Sequence, residues 1–237
     1  MDNNCLRSEE FLNGLRDYFY LINRNFPEKG TLKLVGDRYR LNGDQRTILY
    51  RGITSEEKAG RRIGRLSCEI KDKYLLIDGY NVLFTLLNYR LGRITFISND
   101  RIVRDAGSLH GKLREKDLFL ETLDLLFDFF TEHKPSFVHF YIDSPVSLST
   151  FHNRIINEKI RKNEISGICE IVKSPDQSLK KHGEGIIATS DSVIIDKTSN
   201  GIIDLPRLVL KSKFRAMLFD LNEILAKTKL DGVNKDL

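Results

Sequence analysis

The chain has 237 residues, 41% of them hydrophobic, enough for a packed core, which excludes a disordered or fibrous protein. Its formal net charge of +5 favours an anionic partner such as nucleic acid without identifying one. Cys5, Cys68 and Cys169 lie far apart and form no CxxC pair, so a disulfide framework and a cysteine-rich zinc site are excluded and a reducing compartment is expected.

The opening MDNNCLRSEEF is polar and acidic, and no apolar run reaches the ~20 residues of a membrane span. A cytoplasmic protein with no membrane association is expected. In SEEFLNGLRDYFYLINRNF, Phe11, Leu15, Tyr18, Leu21 and Ile22 share one helical face, and Ser8 is placed to cap it. PEKG then punctuates the pattern. Asn42-Gly43-Asp44 makes a turn ahead of a capped helix start, and Thr54 with Glu57 fits a capping box. These signals predict a small all-α domain of short helices over residues 1–70. Arg38, Arg40, Arg46, Arg51, Arg61, Arg62 and Arg65 enrich it in planar guanidinium forks that suit phosphate. The acids among them equally allow a solvated, salt-bridged surface.

From Lys71 the pattern changes. Apolar runs (YLLIDG, SFVHFYIDS, ICEIVKS, GIIATSD and SVIID) alternate with helical stretches, which predicts an α/β domain over 71–237 around a mostly parallel sheet. YLLI, FVHFYI and GIIA are apolar throughout, as strands covered on both faces must be. An insertion, RLGRITFISNDRIVRDAGSLHG, is expected to form a hairpin pairing Ile94–Ile97 with Arg101–Arg104 around Ser98-Asn99-Asp100. A late helix, LPRLVLKSKFRAMLFDLNEILAK, is expected to start with Asp204 as cap and Pro206 in its first turn, and the final TKLDGVNKDL to fray.

Acids follow the apolar runs. YLLI ends on Asp78, VHFYI on Asp143 and IIATS on Asp191, while ICEIVKSP leads to Asp176. In an open parallel sheet, ligands bind beyond the carboxyl ends of the strands, so these four acids would meet at one place. Converging carboxylates repel unless a cation sits among them, and Mg²⁺ or Mn²⁺ is the usual solution. Such an ion activates water and offsets charge on a phosphodiester. Alternatively, a single strand-end aspartate such as Asp78 caps a helix or forms a turn.

LLIDGYNVL resembles the first motif of the NYN branch of PIN-like nucleases, VHFYIDSPVS their strand-ending aspartate, and GIIATSDSVII their TSD strand end. The chain as a whole, including LVGDRYRLNGDQRTILYRGI, also resembles a prokaryotic, largely archaeal family of unknown function in which a small helical domain precedes a PIN-like part. The resemblance implies a three-layer α/β/α sandwich and metal-dependent cleavage of RNA. Asp78, Asp143, Asp176 and Asp191 would hold the metal, with Asp78, Asp143 and Asp191 as catalytic acids and Asn81 in support. Gln177 stands where the family carries a second acid, which also leaves room for a non-catalytic RNA- or protein-binding module.

Further candidates surround this set. Arg104, Asp105, Ser108 and His110 of the insertion offer a supporting ligand in Asp105 and a cation for RNA in Arg104, against a simple capped loop. Asp196 is a second supporting acid or a turn residue, and Lys180 beside Asp176 a phosphate contact. Asp117, Glu121, Asp124 and Asp128 read as the solvated side of a helix. Tyr80 suits either base stacking or the core. No Walker loop, dinucleotide fingerprint, Asp-x-Asp phosphatase motif or nucleophile elbow is present. The reading is a Mg²⁺- or Mn²⁺-dependent endoribonuclease acting on RNA, with Arg38, Arg40, Arg46, Arg51, Arg104 and Lys180 as RNA contacts and homo-oligomerisation left open; a small-molecule phosphohydrolase is the third reading.

Overall fold

In a computed structural model, which describes residues 3–107, 116–144, 146, 148–181 and 183–226, the local signals of the N-terminal region are met in turn. A 3₁₀ turn (Asn3–Arg7) leads into α1 (Glu9–Asn23), where the Ser8 hydroxyl accepts the Phe11 amide at 3.2 Å. Phe11, Leu15, Tyr18 and Ile22 are buried along its inner face. Asn25 then takes a left-handed conformation, and the Phe26 amide bonds back to the Leu21 carbonyl, closing the helix as a Schellman turn does. Helix α2 (Glu28–Arg38) follows, and α3 (Gly43–Gly52) begins with a reciprocal box between Asn42 and Gln45. In α4 (Glu56–Ile63) the cap is Ser55, accepting from Lys58, rather than the expected Thr54. Thr54 is instead buried, its backbone paired on both sides with the Asn99 side chain.

That pairing bears on how the chain divides. Two compact units form, and the first joins Met1–Gly64 to Leu91–Gly107 and Leu218–Leu237, rather than stopping near residue 70. The expected hairpin is present as β3 (Thr95–Ile97) antiparallel to β4 (Val103–Asp105), but its turn belongs to the helical unit. The Asn99 amide bonds to the Gly52 carbonyl, and Phe96 lies in one core with Leu15, Leu49 and Leu221. A Cβ on Gly52 would meet Leu221 at 2.5 Å and Phe96 at 2.7 Å, so this contact requires glycine. Strand β9 (Phe219–Asp220) adds to β3 in parallel. The expected late helix is therefore interrupted: α10 (Leu205–Phe214) has Asp204 as cap and an early proline as predicted, but ends at a left-handed Arg215. TKLDGVNKDL lies outside the described residues.

Under the hairpin, Asp100 is fully buried between two buried arginines. Arg104 forks onto both its oxygens at 2.7 and 2.8 Å, and Arg62 of α4 reaches it at 2.7 Å. Burial pushes the Asp100 carboxyl up, but the charge and hydrogen bonds of Arg104, with those of Ser98 and Arg62, outweigh this and hold it well below the usual range.

The second unit spans Arg65–Arg90 and Ser108–Met217. It is an α/β unit on a six-stranded, all-parallel sheet ordered β1-β8-β7-β2-β5-β6, from β1 (Leu66–Ser67), β2 (Tyr74–Asp78), β5 (Phe137–Asp143), β6 (Gly167–Val172), β7 (Ile186–Ala188) and β8 (Ile202–Ile203). Helices cover both faces. Phe127 and Phe130 of α6 (Lys116–His133) pack on Phe140, while Leu179 of α8 (Pro175–Lys181) and Ile194 of α9 (Ser192–Lys197) pack on Leu76, Tyr141 and Ile187. The run SVIID thus lies in a helix, because Asp191 caps it, and is not a strand. At the edge of the sheet, Asn157 of α7 (Ser149–Lys162) accepts the Cys169 amide and donates to its carbonyl, filling the place of a further strand.

Breaking a buried ion pair strands its partner charges. Asp100→Ala removes the carboxylate that two buried guanidiniums share, so the first unit should lose roughly 3–5 kcal/mol in denaturant unfolding, while Arg61→Ala, an exposed pair, changes it by less than ~1 kcal/mol.

Candidate active site at the sheet switch point

Strand β2 sits at the centre of the sheet, and the chain reverses direction across it. From β2 it passes to β5 and β6 on one side, then returns to β7 and β8 on the other. In such sheets ligands bind beyond the carboxyl ends of the strands at this reversal, here β2, β5 and β7. Asp78 is the last residue of β2, in register with Tyr141 of β5, and Asp143 is the last residue of β5. Asp176 lies in the first turn of α8 after β6, and Asp191 caps α9 after β7.

Asp78 is 7% exposed. Helix α5 (Gly79–Arg90) starts at the next residue, and a Cβ on Gly79 would lie 2.6 Å from Ile142 and 3.0 Å from the Tyr141 carbonyl. Glycine lets the chain turn away from β5 at that point. The Asp78 carboxylate accepts the Thr189 hydroxyl at 2.8 Å, and Thr189 Oγ1 in turn accepts the Asp191 amide at 3.1 Å. Burial pushes the Asp78 carboxyl up to about 7, the Thr189 bond opposes this, and the charges of Asp191, Asp143 and Asp176 add to it. Asp143 is pushed up as well, by burial and then by Asp176. Four acids drawn from four parts of the chain therefore share one field.

Asn81 supports this site through the backbone: its side-chain oxygen accepts both the amide and the hydroxyl of Ser190, at 2.7 and 2.9 Å. Asp191 spends one oxygen on the Val193 amide at 2.7 Å. Lys180 lies 3.8 Å from Asp176, one turn along α8, and Gln177 is exposed beside them. Sequence reasoning did not single out Thr189 or Ser190, although both lie in the TSD run; their roles depend on the register that brings β7 against β2.

Other candidates fall elsewhere. Asp196 is exposed on α9. Asp105 and Arg104 belong to the first unit. Asp105 is buried, ion-paired with Arg51 and bonded to the Gly107 amide, so within the first unit it is a structural acid. Arg104 is buried on Asp100, which removes it from the RNA contacts. Arg46 is held by Asp37 at 2.9 Å and by the Leu41 carbonyl, and Arg51 by Asp105, whereas Arg38 and Arg40 are exposed. Tyr80 is a core residue, bonded to His152 and stacked on Phe84. Asp117, Glu121, Asp124 and Asp128 are exposed on α6, as expected of its solvated side. Ser108 and His110 lie outside the described residues.

Comparison with known proteins places this arrangement. A model described as a domain of unknown function (DUF5616) matches residues 67–208, and one described as a protein of unknown function (DUF434) matches residues 11–65. The chain belongs to the DUF5616 family. It is similar to an uncharacterised protein of Methanocaldococcus jannaschii, 31% identical over 182 residues that cover 76% of this chain and 86% of that protein. No solved structure matches. The DUF5616 match contains all four acids together with Asn81, Thr189 and Ser190. No helix among the described residues is long and apolar enough to cross a membrane.

The raised Asp78 carboxyl has a consequence for stability. The folded state holds that proton more tightly than an unfolded chain does, so stability falls as pH rises from about 4 to about 7 and levels off above. Asp78→Asn keeps an acceptor for Thr189 and removes the charge. It should stabilise the second unit by roughly 2–4 kcal/mol above pH ~7, with the gain vanishing below pH ~4, as read from thermal unfolding across that range.

Proposed function

We propose that the acids at the switch point form the active site of a metal-dependent ribonuclease of the NYN/PIN-like kind, whose N-terminal helical part contacts the RNA. The observation that carries this reading is Asp78, a buried strand-end carboxylate pushed up to about 7 with three further carboxylates acting on it.

The donors suit a hard cation: all are carboxylate oxygens, and two of them, Asp78 and Asp143, are pushed up by burial first and by neighbouring carboxylate charge second. Among the described residues no three His, Cys, Asp or Glu side chains are arranged to hold a metal as they stand. Mg²⁺ does not require such a cage, since it keeps several waters and binds through one or two carboxylates together with substrate phosphates. Asp78 and Asp176 would hold it, with Asp191 alongside. A divalent cation bound there supplies a polarised phosphoryl oxygen and a more acidic water.

The chain's own groups do the rest. Thr189 fixes one oxygen of Asp78 and leaves the other for the ligand. Asp143, half-buried and with raised proton affinity, is suited to take the proton of the attacking water. Lys180 offsets charge beside Asp176, and Asn81 keeps the Thr189–Asp191 turn in place through Ser190. The exposed Gln177, where a second acid would stand, favours the second reading, a non-catalytic RNA- or protein-binding module on the same fold.

Two measurements test the proposal. RNAs of mixed single-stranded and structured character, incubated with Mn²⁺ or with EDTA, should be cut only with metal, and Asp78→Asn should slow cutting on the order of a hundredfold or more. RNA binding without cutting under either condition would transfer the site to the binding module. Because a cation must displace the Asp78 proton, Mn²⁺ affinity measured by calorimetry should rise with pH up to about 7 and then flatten; a flat profile would remove Asp78 from the ligands.

A further inference from the structure

The exposed face of α1 carries Tyr20 and Arg24 outside the first unit's core, and beside it lies Tyr39, half-buried and packed against that core. Asp17, Tyr20 and Arg24 recur at i, i+3 and i+7 and therefore line one side of the helix. Tyr20 is 57% exposed, and the Arg24 guanidinium lies 5.0 Å from its ring centre. Asp17 accepts the Tyr39 hydroxyl at 2.6 Å, which brings Tyr39 to this side, and the Arg38 guanidinium lies 5.6 Å from the Tyr39 ring. Phe26, 50% exposed, follows in the turn after α1. Among the described residues neither Arg24 nor Arg38 forms a salt bridge, whereas Arg46 and Arg51 are both tied to acids.

We propose that this surface, Arg38–Tyr39 at one end and Tyr20–Arg24 with Phe26 at the other, is a stacking platform for unpaired bases of single-stranded RNA. It deepens the reading of the chain as an RNA enzyme and rests on it. Rings and guanidinium planes open to solvent stack on base faces, and those faces are accessible only when the strand is unpaired. Arg24 and Arg38, both exposed and outside any salt bridge among the described residues although Asp17 acts on Arg38 at longer range, supply the charge complementarity for phosphates. Asp17, between them, repels phosphate and leaves the middle of the surface to bases. A duplex would offer only its backbone here, and the rings would gain nothing.

The test uses the full-length chain in EDTA, so that nothing is cut, with a fluorescent single-stranded oligouridylate and an RNA duplex of equal length, followed by anisotropy. The single strand should bind more tightly than the duplex. Tyr20→Ala and Phe26→Ala should each weaken single-strand binding by about five- to a hundredfold and leave duplex binding unchanged, with Tyr20→Phe retaining wild-type affinity. Arg24→Gln and Arg38→Gln should weaken binding and flatten its salt dependence. Equal or tighter duplex binding, or a Tyr20→Ala protein with wild-type affinity, would overturn the platform. Since binding is read without metal, strand preference that persists while the Asp78→Asn comparison shows no metal-dependent cutting would count against the nuclease alone. Failure to bind either RNA would overturn both.

Discussion

Everything at the candidate site follows from the position of β2. A strand with parallel neighbours on both sides and helices over both faces has no route to water except at its end, and its end is Asp78. The same crossing topology that buries the strand brings the ends of β5 and β7 beside it, so further acids arrive where solvation is already poor. Thr189 is the group that makes the arrangement tolerable, donating to Asp78 while taking the Asp191 amide. Moving β7 by one residue would turn that hydroxyl to the other face of the sheet and leave Asp78 unsatisfied.

The molecule holds a second buried aspartate that sets off the first. Asp100 is as deeply enclosed, yet its carboxyl is held far below the ordinary range while that of Asp78 is raised. The difference lies in the neighbours. Two arginines and a serine close around Asp100, giving a completed set of charge-assisted bonds that fastens a hairpin to a helix. Asp78 has a hydroxyl and other carboxylates, an incomplete set. Burial alone does not set the direction of the shift; the balance of neighbouring charge holds Asp100 down and lets Asp78 rise.

This contrast also marks what the sequence disclosed. Asp78, Asp143, Asp176 and Asp191 were legible because a strand-end acid is a local signal, an apolar run and then a carboxylate, and the alternating pattern supplied the parallel sheet that gathers them. Asn42 and Ser8 were legible as caps for the same reason. The structural partners of Arg104 and Asp105, Asp100 with Arg62 and Arg51, were not legible because they are fixed by tertiary contact and not by spacing. The insertion was assigned to the wrong unit because the strand that completes its sheet, β9, comes from the far end of the chain. SVIID carries the β-branched composition of a strand, but a capping aspartate and burial of Ile194 and Ile195 on one side decided for helix.

The segmented make-up of the first unit has a consequence for how the protein is made. Its core contains Leu6 and Leu15 from the beginning of the chain, Phe96 from the hairpin, and Leu221 and Leu225 from near the end. During translation helices α1 to α3 are made well before Leu221 and Leu225, which share their core. The second unit, whose sheet is complete by Ile203, has all its strands earlier. The unit that begins first along the chain is thus the one whose core is completed later, by the strand after Met217.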